Sequence, residues 1–462
     1  MRSGLQRSSG HQQRSSGHQG DGLALRGITR RRLLALAGVG ALGGVAAGCS
    51  GQLPAVDTAA ASFGKDGRGE VEVWCRAATQ TGIGVIVDNF HKQQNRIRVR
   101  VTAVPDSQFV TKLATAIRGG RVPDLVDFDD INSMLFIYRG AFADLTDPIS
   151  RMDGHQALSP GHLRLATNNK RIYALPFLAD NSVLFCNTEL FEKAGLDVDE
   201  STKSLETLLQ AARKISRLGQ DVYGWSYPGN ATGALGFTVQ PHIWAAKTDL
   251  LAGTVGHQHG NVSGNEAVRA TLEFCRRLWQ EKLVPPLAYA DDASHWGSDY
   301  LAGKIGMFPA SYGSVVPNAS KEMLAKTAIR LLPGPTGGVS FFDGGDNLCM
   351  LNGAPNPNAA WEFASYCVTV PQQQNLPQGG YAPIRSDAAT PAFRKKFPLA
   401  VPTLADIKAG FAPTTLAYNL IYNQSDGPWL AMFRRAVFQG QVEAAMDDAQ
   451  TGYDRILEAA QA

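Results

Sequence analysis

Adjacent acidic residues are the first feature of this sequence that could support chemistry. Asp129 and Asp130 are neighbours, and so are Asp291 and Asp292. Successive side chains of a strand point to opposite faces, so neither pair is well placed to act as one acid and base. The sequence contains no GxxxxGKS/T phosphate loop, GxSxG nucleophile turn or HExxH zinc motif. We therefore expect that the protein is not an enzyme.

Histidine and cysteine do not indicate a metal site or a cofactor. His257 and His259 lie in the glycine-rich stretch GTVGHQHGNVSGN, which predicts a solvated loop. The cysteines after residue 49 have no CxxC spacing and mostly apolar neighbours, which predicts buried small hydrophobic residues. An exported protein could also form a disulfide, but the sequence does not assign its connectivity. These cysteines are Cys75, Cys186, Cys275, Cys349 and Cys367.

The first part of the chain alternates predicted strands and helices. EVEVW at 70–74, RIRVRV at 96–101 and PDLVDF at 123–128 indicate strands, and the segments between them have helical periodicity. This alternation is typical of an α/β protein with a parallel sheet. Phe128, Asp129 and Asp130 then lie at the carboxyl end of a strand, where open sheets bind ligands. Capping of the helix that begins INSMLF is the alternative role.

The remaining chain contains further strands and amphipathic helices. YALPFLADNSVLFCN reads as two extended pieces that meet at 179–181, and GKIGMFPASYG and DNLCMLN each read as a strand. Apolar stripes predict helices over 205–215, 268–279 and 442–457. We find no internal repeat of 20–50 residues.

The segment TRRRLLALAGVGALGGVAAGCSG, at 29–51, resembles an export signal. Its apolar run is 15 residues long, shorter than the roughly 20 that a membrane-spanning helix needs. The basic start and small-residue end predict a removable leader over 1–48, with a twin-arginine-like motif at 30–31. The ending Ala46-Ala47-Gly48-Cys49 resembles a lipobox, which implies lipidation of Cys49 and a tether over 49–69. A signal peptide with a chance cysteine is the alternative.

The charge of the chain is concentrated in the predicted leader. Residues 1–48 hold seven of the 44 basic residues and one of the 41 acidic residues, so 37 basic and 40 acidic side chains remain. The remaining sequence has no basic stripe of the kind that would indicate nucleic acid binding. The residues beyond the tether are too many for one hydrophobic core and predict two lobes. We expect a monomer that contacts the membrane through its lipid alone.

Four stretches resemble a known family. They are GGRVPDLVDFDDINSMLFIYRGAFADLTD, IYALPFLADNSVLFCNTELFEKAGLD, LAGKIGMFPASYGS and QGGYAPIRSDA, in this order along residues 70–462. They resemble motifs of extracellular solute-binding proteins (family 1, maltose-binding-protein-like) of ABC sugar importers, here of an actinobacterial lipoprotein type. Cys186 departs from the usual tyrosine, and Ser311 and Tyr312 stand near the usual stacking tryptophan.

The resemblance implies a type II periplasmic-binding-protein fold with a ligand cleft between two α/β lobes. It places 70–178 and 302–345 in one lobe and 179–301 and 346–462 in the other, with hinges near Ala179 and Gly344-Gly345. Ligand would close the lobes, and the closed form would engage the transmembrane subunits of an ABC permease. Lipidated Cys49 would hold the protein on the outer face of the cytoplasmic membrane.

The expected ligand site follows from sugar chemistry. Hydroxyl groups pair with carboxylates and amides, and the C–H faces of a sugar stack on aromatic rings. The resemblance places Asp180 and Asn181 where the family often has an acidic sugar ligand, and a turn-forming pair is the alternative. Packing is the alternative for Tyr312 and Trp244. The other expected contacts are Phe128, Asp129, Asp130, Trp225, Tyr227, Asn230, Trp244, Ser311, Tyr312, Asp346 and Asn347.

Several readings of the function remain open. The first is capture of a disaccharide, an oligosaccharide or an amino sugar. The second is capture of a glycerophosphodiester such as glycerophosphocholine, with Arg76 as the residue that would meet the phosphate. An exported glycosidase would need two carboxyl groups on either side of the scissile bond. A structural cell-wall lipoprotein would bind no ligand.

Overall fold

The computed structural model describes residues 53–294 and 297–461. Its strands, in chain order, are β1 Gly69–Arg76, β2 Ile97–Val104, β3 Leu125–Asp129, β4 Thr167–Asn168, β5 Arg171–Ile172, β6 Leu175–Ala179, β7 Ser182–Asn187, β8 Tyr223–Trp225, β9 Leu251–Thr254, β10 His257–Gly260, β11 Ile305–Ser311, β12 Thr327–Arg330, β13 Leu332–Pro333, β14 Val339–Phe342, β15 Gly345–Met350, β16 Ala382–Pro383 and β17 Gly410–Phe411.

The α-helices, in chain order, are α1 Gln80–Gln93, α2 Asp106–Arg118, α3 Asp130–Tyr138, α4 Thr146–Ser150, α5 Pro160–Leu165, α6 Thr188–Lys193, α7 Val198–Ser201, α8 Leu205–Ile215, α9 Gly233–Trp244, α10 Glu266–Gln280, α11 Ser298–Leu301, α12 Tyr312–Val315, α13 Lys321–Ala325, α14 Pro357–Cys367, α15 Val370–Gln373, α16 Pro391–Lys396, α17 Val401–Ala405, α18 Tyr418–Tyr422, α19 Pro428–Gln439 and α20 Val442–Gln461.

The first sheet has the strand order β16-β6-β15-β3-β1-β2. β1 pairs in parallel with β2 and β3, whereas β15 runs antiparallel to β3 and β6. Val71 and Val73 alternate with glutamates along β1 and are fully buried, because the helices α1 and α14 cover this sheet. The β-α-β alternation predicted for the first part of the chain is confirmed.

The second sheet has the strand order β13-β14-β7-β11-β8, with β12 beside β7 and β17 beside β14. β11 runs antiparallel to β7, and Phe308 lies opposite Phe185. Helices α8, α9 and α10 pack around this sheet, and α19 and α20 pack on α10. The apolar stripe of α8, from Leu205 to Ile215, is buried as predicted. Two separate sheets with flanking helices confirm the two-lobe α/β class.

The chain crosses between the two sheets at two short segments. Residues 180–181 join β6 to β7, and 343–344 join β14 to β15, at the two places where the sequence predicted crossings. Gly345 has φ +150°, and a Cβ there would lie 2.1 Å from the carbonyl oxygen of Leu178. The second crossing therefore requires glycine where it enters the first sheet.

Strand pairing corrects the expected division of the chain between the lobes. The sequence analysis placed 302–345 with the first lobe, but β11 to β14 belong to the second sheet. It placed the chain from 346 onward with the second lobe, but β15 and β16 complete the first sheet. β17, α19 and α20 do lie with the second lobe, as expected. The strands β15 and β16 differ because β15 pairs with β3 and β6, a long-range choice that no local pattern records.

Two smaller predictions concern exposed histidines and buried cysteines. His257 and His259 do not lie in a loop but in β10, which forms an antiparallel hairpin with β9, and both are exposed. The predicted burial of Cys75, Cys186, Cys275, Cys349 and Cys367 is confirmed, and all five are free thiols. Within the described ranges, no helix is both long enough and apolar enough to span a bilayer.

Candidate functional site

Strand ends from both sheets meet at the crossing segments. β1 ends at Arg76 and β3 ends at Asp129, and both strands run in the same direction. β15 runs the other way, so its first residues lie at the same edge, with Asp346 opposite Asp129. In the second sheet, Ser311 at the end of β11 lies opposite Ser182 at the start of β7. The fold therefore collects polar residues from distant parts of the chain at one place.

We call the charged and titratable residues at this place the polar cluster. Its members are Arg76, Asp127, Asp129, Asp130, His162, Asp180, Asp343 and Asp346.

Arg76 and Asp346 form a bidentate ion pair in the polar cluster. The guanidinium donates from Nε to Asp346 Oδ2 at 2.8 Å and from Nη2 to Oδ1 at 2.5 Å. Arg76 also donates to Asp106 Oδ1 at 3.2 Å. Burial favours the neutral form of Arg76, but Asp346 and then Asp129 raise its pKa above the usual value. The guanidinium is therefore already paired, rather than free to meet an anion.

Asp129 has the capping role that the sequence analysis offered as its alternative. Its Oδ1 accepts hydrogen bonds from the backbone N and from Nδ2 of Asn132, both at 2.9 Å, at the start of α3. The residue is partly exposed to solvent. Burial raises the pKa of Asp129, while Arg76 lowers it and Asp346 raises it further.

Asp130 is buried deeper and is less well satisfied. Its Oδ1 accepts from the backbone N of Ile131 at 2.7 Å, while its Oδ2 has no hydrogen-bond donor. That oxygen lies 3.5 Å from Nδ1 of His162. Burial, followed by the charges of Asp129 and Asp343, raises the pKa of Asp130 well above its usual value. A buried carboxyl oxygen without a donor is costly unless a further group supplies one.

His162 lies between two carboxyl groups on the short helix α5. Its Nε2 is 3.6 Å from Asp343 Oδ1, on the side opposite Asp130, and the imidazole is fully buried. The Ser159 hydroxyl donates to Asp343 and also caps α5. Burial raises the pKa of Asp343, and His162 opposes this effect. Sequence analysis did not identify His162 or Asp343, although an acid directly before Gly344-Gly345 was a usable signal.

Asp127 lies in β3, two residues before Asp129. The Thr79 hydroxyl donates to its Oδ2, while its Oδ1 has no hydrogen-bond partner and the side chain is fully buried. Burial, followed by the charge of Asp346, raises its pKa well above the usual value. Asp127 was not among the predicted site residues, because the sequence of a buried strand does not indicate which face its acidic side chain occupies.

The first crossing segment connects the polar cluster to the second sheet. Asp180 Oδ1 accepts from the backbone N of Gly313 at 2.9 Å, and the backbone N of Asp180 donates to the carbonyl of Gly344 at 2.7 Å. The carbonyl of Asn181 accepts from the backbone N of Tyr312 at 2.9 Å. Burial raises the pKa of Asp180, which remains half-buried. Asn181 is buried, and its Oδ1 has no donor.

Two tyrosines, Tyr381 and Tyr418, lie close to the carboxyl groups, whereas Tyr312 packs in a hydrophobic core of the second lobe. Tyr312 begins α12, is nearly buried, and burial raises its pKa to about 12. Tyr381 donates to the carbonyl of Ala78 at 2.8 Å, and burial followed by the charge of Asp180 raises its pKa. Burial and the charge of Asp129 raise the pKa of Tyr418 well above the usual value. Tyr381 and Tyr418 were not identified from the sequence.

Comparison with known proteins identifies the family. The family model described as bacterial extracellular solute-binding protein matches residues 85–403, more than half of the chain. The chain belongs to this family.

Individual relatives are distant in sequence but similar in length and fold. A binding protein of Brucella abortus (strain 2308) is 23% identical over 383 residues, which cover 80% of this chain and 88% of that protein. The sugar-binding protein MalE of Xanthomonas citri superposes with a TM-score of 0.75 at 20% identity, covering 85% of this chain and 98% of that one. UgpB of Mycobacterium tuberculosis, solved with glycerophosphocholine, gives 0.66 at 18% identity, covering 85% and 99%.

Not every residue expected at the site of this solute-binding protein lies in or beside the polar cluster. Phe128 stacks on Phe109 with ring centroids 4.9 Å apart, inside the core of the first lobe. Ser311 does lie beside the cluster, because its side chain hydrogen-bonds Asp180, and it also caps α12 by accepting from the backbone N of Ser314 at 3.1 Å. Asn347 is fully buried, and neither polar atom of its side chain has a hydrogen-bond partner.

Four other expected residues lie in the second lobe away from the cluster. Trp225 packs edge-on against Phe274 at 5.3 Å, and the Tyr227 hydroxyl donates to the carbonyl of Cys275 at 3.2 Å. Trp244 Nε1 donates to Asp249 Oδ1 at 2.8 Å. These three aromatic residues belong to the core of that lobe, and Asn230 is exposed. The sequence did not distinguish aromatic residues of the core from those beside the carboxyl groups.

The donor set of the polar cluster does not match a metal site. Among the residues that the structure describes, no group of three or more histidine, cysteine, aspartate or glutamate side chains is arranged to hold a metal ion. The carboxylates are instead separated by an arginine, an imidazole and backbone donors. This arrangement is suited to a solute that brings several hydrogen-bonding groups of its own.

Proposed function

We propose that this extracellular solute-binding protein captures a carbohydrate between its lobes and delivers it to the membrane permease of an ABC importer. The observation that carries the proposal is that the polar cluster combines residues of the first lobe with both crossing segments and is hydrogen-bonded to the second lobe at Gly313. Asp129 and Asp346 come from the first sheet, and Asp180 and Asp343 come from the two crossings. Gly313, which donates to Asp180, belongs to the second lobe.

Closure of the lobes follows from this arrangement. A solute that touches groups on both sheets binds the closed form more tightly than the open form, and so favours closure. The amide of Asn419 in the second lobe already reaches Asn132 Oδ1 in the first lobe at 3.3 Å. Both crossing segments are short, and the second contains Gly344, as suits a hinge that absorbs φ/ψ changes. The closed protein is then the form that the permease would recognise.

Carbohydrate suits the chemistry of the cluster. Carboxylate and amide groups can each take more than one hydroxyl. The similarity to the sugar-binding protein MalE supports this class of solute. We further propose that no bond of the solute is broken, because the carboxyl groups are held by caps and ion pairs rather than free as an acid and a base.

Ligand-dependent stabilisation tests the proposal. Thermal unfolding of the chain from Ser50 onward would be measured with mono-, di- and oligosaccharides, and a sugar at one hundred times its Kd should add about 2.7 kcal/mol. Asp180→Ala should abolish the shift, whereas Asp88→Ala, an exposed acid on α1, should preserve it. Recovery of the sugar unchanged after incubation would exclude hydrolysis. If no sugar shifts the transition, the proposal fails.

A glycerophosphodiester is the second candidate, favoured by the similarity to UgpB. Its phosphate would have to compete with Asp346 for Arg76, because the guanidinium already donates hydrogen bonds to both carboxylate oxygens of Asp346. Including glycerophosphocholine in the same thermal panel separates the two candidates. A shift with this compound and none with sugars would reassign the solute.

We also propose that the protein is exported and anchored by a lipid on Cys49. The leader and Cys49 lie outside the described residues, so the proposal is supported by the sequence motif and by membership of an extracellular family. Metabolic labelling with palmitate should mark the wild-type protein but not a Cys49→Ser variant. Equal labelling of both would place the lipid elsewhere.

A further inference from the structure

The charges of the polar cluster do not balance. The cluster contains six carboxyl groups, one guanidinium and one imidazole among the described residues. The guanidinium of Arg76 donates its two short hydrogen bonds to Asp346, and it acts on Asp129 and Asp180 through its charge alone, opposing the rise in their pKa. Asp343 faces His162 and the nearby Arg164. On its other side His162 faces Asp130, whose Oδ2 lies 3.5 Å from Nδ1. Asp127, Asp129 and Asp180 therefore have no cation of their own in direct contact.

The hydrogen bonds that these acids receive come from neutral groups. Asp129 accepts from Asn132, and Asp180 accepts from the backbone of Gly313. A neutral donor stabilises a carboxylate but leaves its charge in place. The two carboxyls that remain half-exposed, Asp129 and Asp180, are those that a solute entering between the sheets would meet.

Buried acceptor oxygens near these acids also have no donor. Asp130 Oδ2, Asp127 Oδ1 and Asn181 Oδ1 have no hydrogen-bond partner, and each of these side chains is at most 3% exposed. Acceptors in this position are satisfied only by a group that brings hydrogen-bond donors. A charged nitrogen brings up to three donors together with the positive charge that the cluster lacks. A hydroxyl brings one donor and no charge.

We propose that the solute is a sugar-sized compound with a positively charged nitrogen, such as an amino sugar, and that Asp129 and Asp180 receive this nitrogen. The inference rests on the proposed capture function and narrows its substrate class. An anionic solute is disfavoured, because it would meet these carboxylates and would have to displace Asp346 from Arg76. A neutral sugar would bring no positive charge to Asp129 and Asp180.

Matched solutes that differ only in charge test the inference. Calorimetric titration at pH 7 would compare D-glucosamine with D-glucose and with N-acetyl-D-glucosamine, and the β-1,4 dimer of glucosamine with cellobiose. We expect the amine to bind at least tenfold more tightly than the matched neutral sugar, with the ratio falling at high salt. Glycerophosphocholine and glycerol 3-phosphate form a further pair. Tighter binding of glycerophosphocholine than of any amino sugar would assign the charged nitrogen to a choline head group.

Variants assign the preference to the cluster. Asp180→Asn and Asp129→Asn keep the shape and the acceptor oxygen but remove the charge, so each should reduce the ratio of amine to neutral affinity to below threefold. Asp88→Asn on the exposed face of α1 should leave the ratio unchanged. Near-ultraviolet circular dichroism would verify that each variant is folded.

Each outcome bears on the inference. Equal or tighter binding of a neutral sugar overturns the cationic solute and leaves carbohydrate capture standing. Binding of no compound in these pairs overturns the inference, and absence of any shift in the wider sugar panel would overturn the capture function as well. A preference for the amine that both Asp→Asn variants retain would place the nitrogen away from Asp129 and Asp180 and refute the assignment.

Discussion

Removing the charge of Arg76 should destabilise the first lobe. In Arg76→Gln, the carboxyl of Asp346 would lose both of its hydrogen bonds from the guanidinium, at 2.8 and 2.5 Å. The Asp346 side chain is 0% exposed, while that of Arg76 is 20% exposed. Water therefore cannot easily replace the lost partner, and the carboxylate would remain buried and unpaired.

The expected loss follows from this burial. Removing one partner of a buried ion pair costs about 3–5 kcal/mol. Because Arg76 retains some contact with water, we expect a value near the lower limit, about 3 kcal/mol in the free energy of unfolding. For a lobe of this size, that loss corresponds to a decrease in Tm of about 6–12 °C.

Thermal and urea unfolding of the ligand-free chain measure the effect. Arg100→Gln is the matched control, because Arg100 pairs with Glu70 at 3.1 Å in the same sheet but both side chains are about half exposed. This surface pair should contribute no more than about 1 kcal/mol. The double variant Arg76→Gln/Asp346→Asn should regain most of the stability, since no buried charge remains unpaired.

Two results would refute this reasoning. If Arg76→Gln loses no more stability than Arg100→Gln, Asp346 does not depend on the guanidinium. If the double variant is as unstable as Arg76→Gln, the loss arises from packing of the arginine side chain and not from the buried carboxylate.

Two further predictions concern the second crossing and the second lobe. Gly345→Ala should destabilise the protein strongly, because the added Cβ would lie 2.1 Å from a backbone oxygen. The control Gly84→Ala, on the open surface of α1, should instead stabilise the protein by roughly 0.5–1 kcal/mol. Equal Tm values for the two variants would contradict this geometry. Burial lowers the pKa of His242 to about 4. Between pH 6.5 and about 4 the unfolded chain therefore binds a proton that the folded chain does not, and stability should decrease as the pH is lowered through this window. His242→Gln should flatten that acid limb relative to His257→Gln, an exposed control, and an unchanged limb would refute the assignment.

Local patterns in the sequence were sufficient for the elements and the class of fold. The alternation in β1 and β2, the buried stripe of α8 and the break between β6 and β7 lie where the sequence predicted them. These features depend on periods of two and 3.6 residues, which a strand or a helix imposes on its own sequence. Motif order also predicted the family, which the family comparison confirms.

The partners of each element were not determined locally. The exchange of β11 to β14 with β15 and β16 between the two sheets is decided by pairing over more than a hundred residues. Similarly, Trp225, Tyr227 and Tyr312 are aromatic residues near a glycine or a strand end that were expected at the site, yet all three pack in hydrophobic cores of the second lobe. Burial of an aromatic ring depends on what the rest of the chain places against it.

The sequence by itself determined which acids stand at strand ends, because a strand that ends before a turn exposes its last residues at a sheet edge. Only the tertiary structure decided that Arg76 is already neutralised by Asp346, and that His162 lies between Asp130 and Asp343. These contacts join residues up to 270 positions apart. Electrostatic interactions depend on distance in space and on burial, and the order of residues along the chain specifies neither.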